Sequence, residues 1–297
     1  MSTIEKALQK KNLYEQQQKQ LKATEQQESG EPLQISPDQV KQAIDYDNEQ
    51  SLNRDILDLT ALQNGFVNKS RQVINEEFRA IKRKILRNAF GPLSKSLKNS
   101  NIIMVTSPNP SEGKTFTAIN LALSIALEQD KTVLLVDADV LRPSVMKIID
   151  QPFGNGLMEY LLGDVKQLGE VIYQTTLDTL RIIPAGQSNH LSSELLASSK
   201  MLEAVSEFAN RYNDRIVIFD TPPLLGVNET AILANLAGQA VIVVLEGKTN
   251  LNQVSKAVEQ LDPDMAKGFV INKASKSTID GSGYYGYYYG HYYGSKI

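Results

Sequence analysis

Five residues concentrate the chemistry available to this chain: Lys114, Thr115, Asp137, Asp139 and Asp220. Lys114 and Thr115 close the segment Pro108-Asn-Pro-Ser-Glu-Gly-Lys-Thr115, which follows an apolar run and opens a helix-forming stretch. A loop so placed turns backbone N–H groups and a helix N-terminus toward one point, which makes an anion site. In a phosphate-binding loop ending Gly-Lys-Thr, the lysine reaches the β- and γ-phosphates of ATP and the hydroxyl binds Mg2+. The residues expected to contact ATP are Ser111, Glu112, Gly113, Lys114, Thr115 and Phe116, with Gly113 allowing close backbone approach. Pro108 stands where such loops usually begin with glycine. A chance Gly-Lys-Thr at a loop–helix junction is therefore the competing reading, and the loop needs independent support.

Two acidic strand ends supply it. The run Val133-Leu-Leu-Val-Asp-Ala-Asp139 places Asp137 and Asp139 two residues apart, so both carboxylates share one face of a strand end. The run Ile216-Val-Ile-Phe-Asp-Thr-Pro-Pro223 ends its apolar stretch in Asp220, the pattern of a carboxylate that holds a Mg2+ shell. One such aspartate alone would read as a helix cap or a solvated strand end. Three at two strand ends, beside a phosphate loop, read as a nucleotide site with Thr115, Asp137 and Asp220 around the metal.

These residues need a parallel sheet to bring them together. Nearly continuous apolar runs at Ile102–Thr106, Thr132–Val136, Leu180–Pro184, Arg215–Phe219, Ala240–Leu245 and Gly268–Ile271 read as strands buried on both faces. Helical stretches at 76–89, 114–129, 194–212, 228–237 and 250–261 alternate with them. The expected fold is α/β, a mostly parallel sheet of the P-loop NTPase type with helices on both faces. Ligands then sit beyond the C-terminal strand ends. Residues 71–275 form this expected domain. Residues 1–70 are rich in Gln, Lys and Glu and read as a helical or partly disordered extension.

Residues 276–297 have a different character. Seven of the twelve tyrosines fall there: Tyr284, Tyr285, Tyr287, Tyr288, Tyr289, Tyr292 and Tyr293, interspersed with glycine. Such a segment lacks the aliphatic residues of a packed element and reads as flexible. It suits a peptide that enters a site, or a sticky aromatic tail. Beside an ATP site it reads as phosphoacceptor, since a tyrosine hydroxyl, with a reference pKa of ~10, needs an acidic group to take its proton.

Composition narrows the alternatives. A net charge of −3 gives no footprint for nucleic acid. The absence of cysteine excludes disulfides and thiol chemistry, and two histidines make a histidine metal centre improbable. Neither a signal peptide nor an apolar run of the ~20 residues that span a bilayer is visible, so a cytoplasmic chain, peripheral at a membrane through a partner, is expected. Neither an HRD-type catalytic loop nor DFG occurs, which excludes a eukaryotic-type kinase.

At this point the residues resemble the bacterial tyrosine kinases of polysaccharide export (BY-kinases). The similarity runs from about residue 74 to the C-terminus. It is carried by SPNPSEGKT, VLLVDADVLRP, FDTPP, Gly156-Leu-Met-Glu-Tyr-Leu-Leu-Gly163, Ser193-Glu-Leu-Leu196 after Pro184-Ala-Gly186, and the tyrosine tail. The N-terminus MSTIEKAL is similar to cytosolic autokinases of exopolysaccharide and exosortase loci. The resemblance implies a MinD/ParA-like fold and tyrosine autophosphorylation in trans. Lys114 with Asp137 or Asp139 would be catalytic, and Asn272 would contact the adenine, although a strand-end turn role fits Asn272 equally. It also implies a membrane-bound polysaccharide co-polymerase as activating partner. The family's Glu-x-x-Arg-x-x-Arg oligomerisation motif has its counterpart in Glu76, Arg79 and Lys82, which lie on one helix face. Two departures stand out: Lys82 replaces the last arginine, and Leu141 occupies a position that is often arginine, with Arg142 next. The competing functions are a MinD/ParA-type ATPase, whose signature lysine is here Asn109, and a nucleotide-regulated scaffold of an export complex.

Overall fold

The computed structural model describes residues 56–67 and 72–274. Seven strands form one sheet in the order β3-β4-β2-β5-β1-β6-β7. They are β1 (Ile102–Thr106), β2 (Thr132–Asp137), β3 (Tyr173–Gln174), β4 (Leu180–Ile183), β5 (Arg215–Asp220), β6 (Gln239–Leu245) and β7 (Ala266–Asn272). All neighbours pair in parallel except β3, which runs antiparallel to β4. All six expected strands form, with ends shifted by at most two residues.

Alternation along each strand divides the core in two. Ile102, Met104, Leu134, Val136, Val217 and Phe219 face one side, against helices that include α7 (Ser199–Asn210). Ile103, Val105, Val133, Leu135, Ile216 and Ile218 face the other, against α2 (Gln72–Phe90) and α3 (Lys114–Ala126). Burying each such side chain contributes about 1.5–3 kcal/mol. The central strands β1, β2 and β5 are thereby held on both faces, and their C-terminal ends become fixed points.

Two expectations differ from the structure. The helix expected over 194–212 is two, α6 (Ser192–Leu196) and α7, because Ser198 is extended and its Oγ accepts the Met201 N–H at 3.3 Å. A serine hydroxyl that caps a new first turn ends the old helix. The packed body also begins before residue 71. Leu57 and Leu59 are buried in the core with Phe78 and Ile85. The Leu57 N–H donates to Gln174 O and its carbonyl accepts from Thr176 N, both at 3.0 Å, which stitches this stretch to the sheet edge. The apolar residues of Ile56-Leu-Asp-Leu59 are too few to set a clear strand or helix period, so nothing local separates the buried Leu57 and Leu59 from the exposed Ile56. Thr60–Val67 forms a helix of the expected extension, whereas residues 1–55 and 68–71, and the tail with its seven tyrosines, lie outside the described residues.

Candidate active site

The loop between β1 and α3 is shaped from behind by side chains. Gly113 has φ 99°, and a Cβ there would meet Asn272 Nδ2 at 2.1 Å, so only glycine fits. Asn272, at the end of β7, donates its amide to Glu112 O at 2.8 Å. The buried Glu112 carboxylate accepts from Asn109 N and Asn109 Nδ2, both at 2.9 Å, and from the Thr249 hydroxyl. Gln253 Nε2 donates to Asn109 Oδ1 at 3.1 Å. The loop is therefore braced on the turn after β6 and on α9 (Leu251–Val258). On the opposite side, Leu224 N donates to Ser107 O at 2.8 Å, and Thr106 Oγ1 donates to Pro222 O at 2.9 Å.

The acidic strand ends converge beside it. Asp137 and Asp220 are register partners on β2 and β5. Asp137 Oδ2 accepts the N–H groups of Ser144 and Val145, at 3.1 and 3.0 Å, at the start of α4 (Val145–Ile149). Asp137 Oδ1 and both Asp220 oxygens are buried without a hydrogen-bond partner. Asp139 Oδ1 accepts Arg142 N at 3.1 Å. Thr115 Oγ1 lies near Asp220 but shares its hydrogen bond with Ser144 Oγ, at 2.7 Å.

Burial governs the protonation of this group. It pushes Asp137 up to about 7, a shift reinforced by Asp139 and opposed by the Val145 and Ser144 N–H groups. Asp220 is raised well above the usual carboxylate range by desolvation and then by Asp137. Lys114 and the Thr115 hydroxyl offset part of that rise. Burial raises Asp139 too, against the Arg142 N–H and the charges of Lys114 and Arg142. Three carboxylates share a space that favours neutral forms, which is the electrostatic setting of a site made for a cation.

A cavity of about 570 Å³ opens beside these groups, reaching Asp139 but not the buried Asp137 and Asp220. Ser111, Gly113, Lys114, Thr115 and Phe116 line it from the loop and α3, Asp139 and Arg142 from just past β2, and Pro222, Pro223 and residues 225–227 from beyond β5. Glu112 and Asn272 do not line it; they hold the loop's shape. Among the described residues no cluster of three or more His, Cys, Asp or Glu encloses one point as a ready-made metal cage. The donor set nevertheless fits Mg2+. It offers a hydroxyl and orphaned carboxylate oxygens, and this ion takes one or two carboxylates and completes its shell with water and phosphate oxygens.

The expected oligomer face is split. Glu76 and Arg79 pair with each other on the exposed side of α2. Lys82 does not join them: it is buried, donates to Ser124 O at 3.0 Å and pairs with Glu128. A three-residue step advances 300° around the helix, and here that rotation turns Lys82 toward α3. Sequence reading also missed Ser144, Thr249 and Gln253. These are ordinary polar residues whose roles depend on chain segments distant in sequence.

Fold and site together define a P-loop nucleotide-binding protein. Residues 100–266 match the AAA domain family. The chain is 35% identical over 214 residues to the tyrosine-protein kinase YwqD of Bacillus subtilis, covering 71% of this chain and 86% of that protein. It is 34% identical over 190 residues to the putative tyrosine-protein kinase EpsB of Ralstonia nicotianae, covering 63% of this chain but only 24% of that longer protein. The kinase domain of the Escherichia coli tyrosine kinase ETK superposes with a TM-score of 0.58 at 29% identity, covering 68% of this chain and 77% of that one. The chain belongs to the bacterial tyrosine-protein kinases. Its sheet and P-loop are those expected from the sequence, and no helix among the described residues is long and apolar enough to cross a membrane.

Proposed function

We propose that this chain is an ATP- and Mg2+-dependent tyrosine autokinase that phosphorylates its own C-terminal cluster, Tyr284 to Tyr293, between subunits of a homo-oligomer. One observation carries the reading. Lys114, Thr115 and Asp139 line one cavity, Asp137 and Asp220 lie buried in register at the adjoining strand ends, and three of that pair's four oxygens lack partners. Bound Mg2+ would neutralise phosphate charge there. Thr115, Asp137 Oδ1 and Asp220 would hold it, because Asp137 Oδ2 is already committed to backbone N–H groups. Asp139 lines the cavity and is the better-placed proton acceptor. It would take the tyrosine proton while the phenolic oxygen bonds to the γ-phosphorus and the bond to the β-phosphate oxygen breaks. Lys114 would hold the β- and γ-phosphates, and Asn272 would fix the loop against the nucleotide. The biological setting follows from the resemblance: control of exopolysaccharide biosynthesis, with a membrane-bound co-polymerase as activator and no nucleic-acid partner.

Anti-phosphotyrosine blotting of purified protein, with and without ATP and Mg2+, tests the proposal. The full chain should label only with both, Lys114→Met should not label, and a chain lacking residues 284–297 should bind ATP without labelling. ATP hydrolysis with no phosphotyrosine would replace this reading with a nucleotide-driven dimerisation switch.

A further inference from the structure

Three apolar side chains line the cavity yet remain open to solvent: Leu141 is 42% exposed, Ile148 43% and Phe116 40%. Each is anchored at its base. Leu141 lies on the turn closed by the Arg142 N–H to Asp139 bond, Ile148 sits on α4 beside the buried Ile149, and the Phe116 ring meets Phe78 edge-on at 6.4 Å. Their position relative to the phosphates matters. Lys114 and the carboxylates mark where the γ-phosphate must lie, and Leu141 and Ile148 come from the segments just beyond β2, on the γ side. Thr249 and Asn272 brace the loop from behind and do not line the cavity. An attacking group must approach from beyond the γ-phosphate, opposite the leaving oxygen.

We infer that Leu141, Ile148 and Phe116 form a shelf for the ring of the acceptor tyrosine and select it over serine and threonine; this rests on the tyrosine-kinase reading above. A phenol ring laid on the shelf buries apolar area and projects its hydroxyl inward toward Asp139, which is only 8% exposed. A serine hydroxyl, one carbon from its backbone, would bring peptide groups onto apolar side chains without replacing their hydrogen bonds with water. Leucine at 141 suits this role, because a charged side chain there would have to be desolvated beneath the ring.

The test uses the full chain with its seven tail tyrosines changed to serine, and a synthetic peptide of residues 281–297 as acceptor. Leu141→Ala and Ile148→Ala should each raise the peptide KM about tenfold. Leu141→Met should restore it, and the affinity for ATP with Mg2+ should stay constant in all. The same peptide with phenylalanine at every tyrosine should compete with the tyrosine peptide, and a serine version should neither compete nor be labelled. Both substituted side chains are exposed, so the variants keep the core. An unchanged peptide KM, a matching loss of nucleotide affinity, or a labelled serine peptide overturns the shelf while leaving the kinase reading intact. A parent protein that labels no tyrosine overturns both.

Discussion

Asp137 and Asp220 stand opposite each other in register on adjacent parallel strands, both fully buried, with three of their four oxygens unpartnered. Two like charges so placed oppose each other and are both desolvated. In the nucleotide-free protein they are a source of instability that a cation would relieve.

That instability should depend on pH with a definite sign. Asp137 holds its proton up to about 7 when folded, well above its ordinary 3.8. Between those values the native state binds more protons than the unfolded chain, so stability is greatest at low pH and falls as pH rises toward neutrality. Asp137→Asn removes the group, and the variant should gain about 2–4 kcal/mol at pH 8, seen as a Tm higher by about 5–10 °C, with a gain roughly half as large or less near pH 5. Thermal melts of nucleotide-free protein in chelator check this. Asp220→Asn should behave the same way, and both should lose phosphotyrosine formation. Equal gains at both pH values would show that deprotonation of the pair is not the cause.

Glu112 should matter without touching ligand. Glu112→Ala strips partners from Asn109 N and the Thr249 hydroxyl, at about 1–3 kcal/mol for buried groups left unsatisfied. Calorimetric titration should show ATP binding weaker by about tenfold, with Glu112→Gln retaining more affinity. Wild-type affinity in Glu112→Ala would mean the loop holds its shape without the brace.

The split of α2 separates assembly from folding. Lys82→Ala leaves Glu128 and Ser124 O without their cation and should lower the Tm of the monomer. Glu76→Ala with Arg79→Ala removes an exposed pair worth less than about 1 kcal/mol and should leave Tm unchanged. If the exposed face carries self-association, that double variant should shift the sedimentation profile toward monomer. Loss of Tm in the double variant would assign the pair to folding.

Transfer between subunits is open to a mixing test. Lys114→Met protein with an intact tail is combined with tail-deleted protein carrying an intact site. Phosphotyrosine on the Lys114→Met chain is the expected outcome, suppressed when both chains also carry Glu76→Ala and Arg79→Ala. Each phosphate adds about −1.5 to −2 charges, so a labelled tail should leave the acidic site and loosen the oligomer. An unlabelled mixture, with wild type labelling at a concentration-independent rate, would assign transfer to one chain.

Local chemistry determined much of this protein in advance. Continuous β-branched runs specify strands buried on both faces, and a Gly-Lys-Thr between strand and helix specifies a phosphate loop. Asp-Ala-Asp at a strand end needs only period-two alternation to place both carboxylates on one face. Such signals reside in a few consecutive residues, so they survive without knowledge of the fold. What only the tertiary structure decided depends on strand order and helix rotation. The sheet order puts β5 between β2 and β1, and that alone makes Asp220 the neighbour of Asp137. The rotation of α2 sends Lys82 inward while Glu76 and Arg79 stay exposed. Glu112 turns behind the loop to meet Thr249, and Leu57 finds a sheet edge formed by Tyr173 and Gln174, a strand too short to announce itself. In each case the partner comes from a distant stretch of chain, so composition and spacing carry no trace of the contact until packing brings the two together.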